Sequence, residues 1–327
     1  MSLLAAAVVA LPPRPLRAQE QPLSNIPGVF SEVGFGVRPA GMGQAFTAVA
    51  NDANAFLTNP AGMLQGRRSA FTANYVELFG IVPAGYFGLL QPMNDRYALG
   101  AGFQFVGDDA LMENTAGISI SFSPPNLPIG GNEIYFDQMA FGITLKGRWA
   151  SFGNNADGGD GRVTGSGSGY SIDFGYMFLV NKNLTLGLMV RDVLNSFSWN
   201  SSVSGKYDER VPTRLRFGAA FKVDELTLAF DLRKNLYDDT ANRAYFGAER
   251  SFFGSLMLRM GFSNNLGTSD LNRRWSFGAS LAQGLFENYL VRFNTAYGWE
   301  NIDSKFRFGL DIDWGRPKRK PPKGRMY

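Results

Sequence analysis

Few residues in this chain could do chemistry. Among its 327 residues there is no cysteine and no histidine. That removes Ser-His-Asp and Cys-His nucleophilic machinery, and with it the thiolate and imidazole ligands of zinc, haem and iron–sulfur centres. Paired carboxylates remain as candidate acid–base groups, and Asp311 and Asp313 share one face of an alternating segment. Alternate positions also hold Lys305, Arg307 and Arg292, so ion-paired filling of an interior is the better reading of that pair. The run Asn154-Asn-Ala-Asp-Gly-Gly-Asp-Gly161 has the oxygen atoms and glycines of a calcium loop. Its only carboxylates are Asp157 and Asp160, however, and the spacing fits no EF-hand, so it reads as a mobile outer loop. The expectation is a protein that is not an enzyme and has no catalytic centre, metal or cofactor.

Composition narrows the architecture. The chain is 45% hydrophobic and 14% aromatic with 39 glycines, yet its mean hydropathy is only −0.12. Beyond the N-terminal residues no run of about 20 apolar residues occurs, which excludes a bundle of membrane-spanning helices. A barrel can still cross a membrane, because only every second residue of its strands must be apolar. The net charge of +4 is unevenly placed. Arg316, Lys318, Arg319, Lys320, Lys323 and Arg325 crowd the tail between Pro317, Pro321 and Pro322, a composition that predicts disorder over 316–327. The rest is near neutral, and nucleic acid is not an expected partner.

Residues 1–18 read as an export signal, with the apolar run Leu3 to Leu11 and Leu16-Arg-Ala18 before Gln19 as a cleavage point. The positive end is missing, and Pro12, Pro13, Arg14 and Pro15 interrupt the stretch before the cut. Absence of cysteine agrees with export into an oxidising compartment.

From residue 67 onward the sequence alternates. Phe306, Phe308, Leu310, Ile312 and Trp314 fall on one face, and Lys305, Arg307, Gly309, Asp311 and Asp313 on the other. Period two means a strand with one oily side. The same split appears at 214–221 and 226–233, and again near 69–76, 84–91, 97–106, 138–150, 169–180, 184–191, 243–249, 256–263, 275–282 and 289–299. A weaker copy at 117–123 brings the expectation to about fourteen strands. A soluble sandwich would alternate too. Here the polar face carries charges and glycines at mid-strand, and the oily face is aromatic. Tyr86, Tyr97, Trp149, Tyr170, Trp275, Tyr289, Tyr297, Trp299 and Trp314 stand near strand ends, where interfacial girdles belong. Short connections at 181–183 and 223–225 alternate with long ones at 153–168, 192–213 and 264–274. Keeping the short turns on one side requires the weak segment to cross. The connection after it, with Pro124, Pro125 and Pro128, is too long for a simple turn.

The sequence therefore predicts an all-β fold, a transmembrane antiparallel β-barrel over 67–315 in a bacterial outer membrane, with both termini and the tail on the periplasmic side. So many strands enclose more space than their own side chains fill. Residues 19–66, rich in small side chains, are expected to lie inside as a hatch. Asp173, Arg191, Arg214, Arg216, Asp231, Arg233, Arg259, Arg292, Arg307, Asp311 and Asp313 are expected to line the lumen and hold the hatch by charge.

The hatch carries a pattern. A Gly-x-Arg-x-x-Gly-Met-Gly stretch, an Asp-Ala-Asn step and Asn-Pro-Ala-Gly are supplied by Gly36, Arg38, Gly41, Met42, Gly43, Asp52, Ala53, Asn54, Asn59, Pro60, Ala61 and Gly62. At these residues the chain resembles the FadL-like outer-membrane barrels, a likeness that is close over roughly 30 residues and architectural elsewhere. The family includes long-chain fatty acid and aromatic hydrocarbon transporters and the PorV/PorQ-type barrels of type IX secretion. The short chain and the Gly-Met-Gly form look nearer to the second branch. Resemblance to the transporters implies a passive route for a small hydrophobic molecule, which meets the hatch and leaves sideways through the wall into outer-membrane lipid. Gly100, Gly102 and Gly107 then leave two readings, a wall kink for that route or, more commonly, relief of crowding. Resemblance to the secretion branch implies instead a barrel that receives exported proteins at its outer loops and passes them to other secretion components.

Overall fold

Alternating side chains can satisfy both oil and water only if the strand lies in a wall between them, and in hydrocarbon that wall must have no free edge. The computed structural model describes residues 30, 33–125, 127–129, 132–134, 138–153, 163–209, 211–236, 241–267, 273–299 and 304–315. The expected export signal, the run 154–161 and the basic tail lie outside the described residues, as does most of 19–32.

Two short helices, α1 (Val37–Gly41) and α2 (Ala55–Thr58), and a 3-10 turn over Pro60–Gln65 come first. The strands follow: β1 (Ser69–Leu78), β2 (Val82–Pro92), β3 (Tyr97–Gly107), β4 (Leu111–Phe122), β5 (Leu127–Ile129), β6 (Asn132–Ile134), β7 (Met139–Phe152), β8 (Gly165–Leu179) and β9 (Leu184–Ser201). Then come β10 (Gly205–Glu209), β11 (Arg214–Val223), β12 (Leu226–Asn235), β13 (Asn242–Phe252), β14 (Leu256–Leu266), β15 (Arg274–Leu285), β16 (Tyr289–Trp299) and β17 (Lys305–Trp314). The main sheet has 15 strands, of which β10 only folds back on the end of β9. The other fourteen form a closed antiparallel ring, sealed where β1 meets β17 and where β8 meets β9. β5 and β6 make a separate hairpin.

The outward face is oily, with Phe217, Phe246, Phe277, Phe293 and Phe308 all exposed. Tyr97, Trp149, Tyr170, Trp275, Tyr289, Tyr297 and Trp299 are exposed near strand ends as well. Tyr86 departs from the girdle expected of it. It is fully buried, stacks on Phe56 and donates to Ala53 O at 2.8 Å, because its place in β2 has inward parity.

Ser69 and Trp314 mark one end of the barrel, here termed proximal; the other end is distal. Most proximal turns are short, including 180–183 and 224–225, whereas 123–138 is a long proximal connection holding the β5–β6 hairpin. Two distal turns, 79–81 and 108–110, are short. The supposed long loop 192–213 is mostly strand, since β9 runs on to Ser201 and pairs there with β10. The weak segment near 117–123 is part of a full strand from Leu111. The ladders of β3 to β2 and β4 run without a register break.

The outward assignment of β17 is open to a direct test. Phe308→Arg should lower the stability of the assembled barrel by about 2–4 kcal/mol if the site is at the bilayer midplane. Heat resistance of the variant in detergent gels checks this, and a barrel as resistant as the parent would count against the assigned face.

Candidate functional site

The residues from Val33 to Gly66 lie within the ring of strands. Their helix α1 touches β14 to β17 on one side, and the 3-10 turn touches β2, β3, β4, β7 and β8 on the other. Met42, Ala45, Phe46, Ala50, Met63 and Leu64 of this inner segment form the main apolar core with inward residues of the wall.

Its main chain, and in places its Phe56 and Met63 side chains, approach the wall so closely that the facing wall residues are glycines. Gly88, Gly102 and Gly117 stand opposite one another across β2, β3 and β4, and Gly142 faces Gly175, Gly187 faces Gly218 and Gly247 faces Gly261 on neighbouring strands. A Cβ at Gly261 would fall 2.0 Å from Gly43 N, one at Gly142 would fall 2.2 Å from Ala61 N, and one at Gly102 would fall 2.4 Å from the Phe56 ring. Gly100 and Gly102 therefore make room for Met63 and Phe56, which is the crowding reading of those glycines.

The glycines, Arg38 and Asn59 of the inner segment each have a definite contact. Gly43, at φ 62°, abuts the backbone of Phe246 and Phe262, Gly41 touches Gly278, and Gly62 has no room for a side chain beside Ala50 O. Gly36, at φ 88°, closes on Asn54. Asn59 accepts from Ala61 N, which caps the 3-10 turn with Pro60 at its first position, and its amide donates to Thr47 O at 2.9 Å and Tyr176 O at 3.2 Å. Met42 is wholly buried. Arg38 forks onto Glu249 through Nε at 2.8 Å and Nη2 at 2.7 Å, while its Nη1 reaches Asp52 at 2.8 Å.

The eleven charges expected in the lumen all have inward parity, and the structure separates them into groups. Asp231 accepts from Phe46 N at 3.1 Å, Thr47 N at 3.0 Å and Thr47 Oγ1 at 2.7 Å, with Arg216 3.9 Å away. Arg216 and Arg233 lie over the ring of Tyr245. Arg259 donates through Nε to Glu249 at 2.5 Å. Arg292 forks onto Asp313 at 2.8 and 2.7 Å and lies 3.6 Å from Asp311, which also accepts from Thr72. Those carboxylates are thus spent on ion pairing. Arg191 donates to Leu57 O, Arg307 reaches Val33 O, and Arg214 lines a distal cavity.

Five charged residues absent from that set prove central. Lys146 bridges Asp173 at 2.6 Å and Asp192 at 2.7 Å, and Arg148 reaches Asp192 at 2.8 Å. Glu113 accepts from Phe30 N at 2.9 Å, and Glu249 joins Arg38 to Arg259. Alternation with Leu145 and Trp149 would have revealed Lys146 and Arg148. Asp192 gives no such signal: it sits at φ 58° in a bulge where the β8–β9 register shifts, and its N–H donates to Asp173.

Space inside is divided. Two distal cavities of about 60 Å³ each adjoin the inner segment, and a proximal one of about 380 Å³ lies on its other side. No group of His, Cys, Asp or Glu suited to a metal occurs among the described residues.

A closed fourteen-strand barrel with a chain segment in its bore defines the class, an outer-membrane-type β-barrel. No family model and no curated protein matches the sequence. Solved structures do match. The Pseudomonas putida toluene transporter TodX aligns at TM-score 0.58 and 12% identity, over 86% of this chain and 97% of its own. The Ralstonia pickettii toluene transporter TbuX aligns at 0.57 and 16%, over 89% and 100%. A Pseudomonas aeruginosa FadL homologue aligns at 0.54 and 13%, over 85% and 97%. The fold is that of the FadL-type outer-membrane barrels.

Three substitutions test how the inner segment is held. Gly261→Val should cost about 1–3 kcal/mol by overpacking and expose the inner segment to protease, whereas Gly147→Val, with nothing near its Cβ, should do neither. Equal proteolysis of the two would refute the close approach. Glu249→Gln removes the charge that Arg38 and Arg259 share, and thermal unfolding should report a loss of about 3–5 kcal/mol.

Proposed function

We propose that this chain is an outer-membrane channel that passively carries small hydrophobic molecules, its inner segment serving as the hatch. The observation that carries the reading is the combination of a sealed barrel and a folded insert in the fold shared with toluene transporters. The wall offers a place for sideways exit. Across β2 to β4 the inward glycines Gly88, Gly102 and Gly117 lie beside the small outward residues Ala101 and Ala116, so the sheet is thin on both faces. An apolar furrow of about 540 Å³ runs along the outside there, bounded by Phe71, Phe87, Phe103 and Leu145, and Phe56 of the insert packs directly behind. Neutral ligands would pass from hatch to lipid with little polar surface to cross.

A second reading has one observation in its favour. The distal and proximal cavities do not share a lining residue, and the insert between them is pinned by buried ion pairs. A stoppered bore suits a PorV-type accessory barrel that handles exported proteins at its loops, in partnership with other secretion components.

Expression of the full chain in the outer membrane of a bacterial host that lacks such a channel separates the two. Initial uptake of labelled toluene should rise several-fold over the host alone. Unchanged uptake, with exported proteins copurifying with the barrel, would replace the first reading by the second.

A further inference from the structure

The distal part of the bore contains buried hydrogen-bond donors with nothing to donate to. Thr115 on β4 and Arg148 on β7 are direct cross-strand partners with inward parity. Arg148 spends Nη2 on Asp192, but its Nε and Nη1 are buried with no partner, and so is Thr115 Oγ1. The Arg148 side chain is 5% exposed and Thr115 is 1% exposed. Leaving such groups unmet carries their full desolvation penalty, which is larger for charged ones. Both residues line one of the distal cavities, whose size is about 60 Å³, and by the usual allowance that is room for about four water-sized atoms.

The charge of the surroundings has one sign in excess. Lys146, Arg191, Arg214 and Arg216 join Arg148 around this cavity, against Asp173 as the single lining carboxylate among the described residues. Asp192, Asp231 and Glu113 stand behind the lining and take up part of that charge. The adjoining cavity shares Gln44 and Arg216 with the first and adds Arg233, Arg243, Arg274 and Arg307, with no carboxylate in its described lining. Walls of low dielectric focus such a field into the space they enclose. The lining residues come from several directions, β4 and β7 on one side and β9 and β11 on the other, so the enclosed space suits a non-planar occupant. The ring of Phe30, 4.9 Å from the Arg148 guanidinium, covers the site.

We propose that this cavity is a binding site for a compact tetrahedral oxyanion, a phosphate either free or carried on a small ligand. Arg148 and Thr115 supply the direct hydrogen bonds, and the flanking arginines supply the field. The site stands independently of whether the barrel transports hydrocarbons.

Equilibrium dialysis of the full chain in neutral detergent against labelled inorganic phosphate tests this, with ionic strength held constant by sodium chloride. Saturable binding of one phosphate per chain is expected, weakened at least tenfold by Arg148→Gln and also weakened by Thr115→Val. Heat resistance of each variant reports whether the barrel still assembles, and Thr115→Val keeps the test sharp if Arg148→Gln does not. Competition by phenyl phosphate that is stronger than by inorganic phosphate would support an ion carried on a ligand; weaker competition would support the free ion. Binding that is absent in the parent, or unchanged in an assembled Arg148→Gln barrel, or matched by acetate, would overturn the assignment and leave a cavity that holds water only.

Discussion

A fourteen-strand bore is wider than its own side chains can fill, and almost everything inside this molecule follows from that. Hydrocarbon outside forces the sheet to close, because unpaired backbone groups are too costly there. Closure at this strand number leaves a void, and the void is filled by main chain rather than by long side chains. The segment around Gly41–Gly43 and Asn59–Gly62 lies against the strands at backbone distance, and most of the strands that the insert touches yield a glycine at the point of contact. Size has been removed from both partners at once. The outcome is dense packing with few large side chains, which leaves polar groups to hold the insert in register.

Those polar groups are ionised and buried, so their value lies in specificity more than in net stability. Removing Arg38, Glu249 and Arg259 from water is expensive, and their mutual attraction returns much of that cost only because the geometry is bidentate and close. A slipped insert would strand a charge in a low-dielectric bore. Asp231 acts on the same principle with a single carboxylate, gathering two amides and a hydroxyl from one turn of the insert. The position of the segment is thereby fixed at Arg38, at Phe46–Thr47 and at Asn59, three points well separated along it.

How much of this could be read from residues alone depends on what sets each feature. Strand alternation is local, so every strand of the ring was legible, including the weak crossing whose core is Gly117 to Phe122. Inward charges followed from the same parity. Tyr86 misled because an aromatic near a strand end is equally suited to a girdle or a core, and only its parity against Phe87 decides. Asp192 was hidden for another reason. Its bulge interrupts the period, so the sequence beyond it looked like a loop, although β9 continues to Ser201. The glycines were visible as a composition, but what each one faces is a long-range fact, since Gly261 is shaped by Gly43 and Gly142 by Ala61. Likewise Glu249 becomes meaningful only once Arg38 arrives from the far end of the chain.

The seam between β1 and β17 joins the first strand of the ring to its last. The ring cannot shut until the final residues of the barrel exist, whereas the insert precedes them all. What is synthesised first is thus enclosed last. In the interval Met42, Phe46, Met63 and Leu64, which end up wholly or almost wholly buried, have no wall to cover them. Biogenesis of this protein therefore places its greatest demand on chaperoning at the N-terminal side, and the strand that ends the demand is the one nearest the C-terminus.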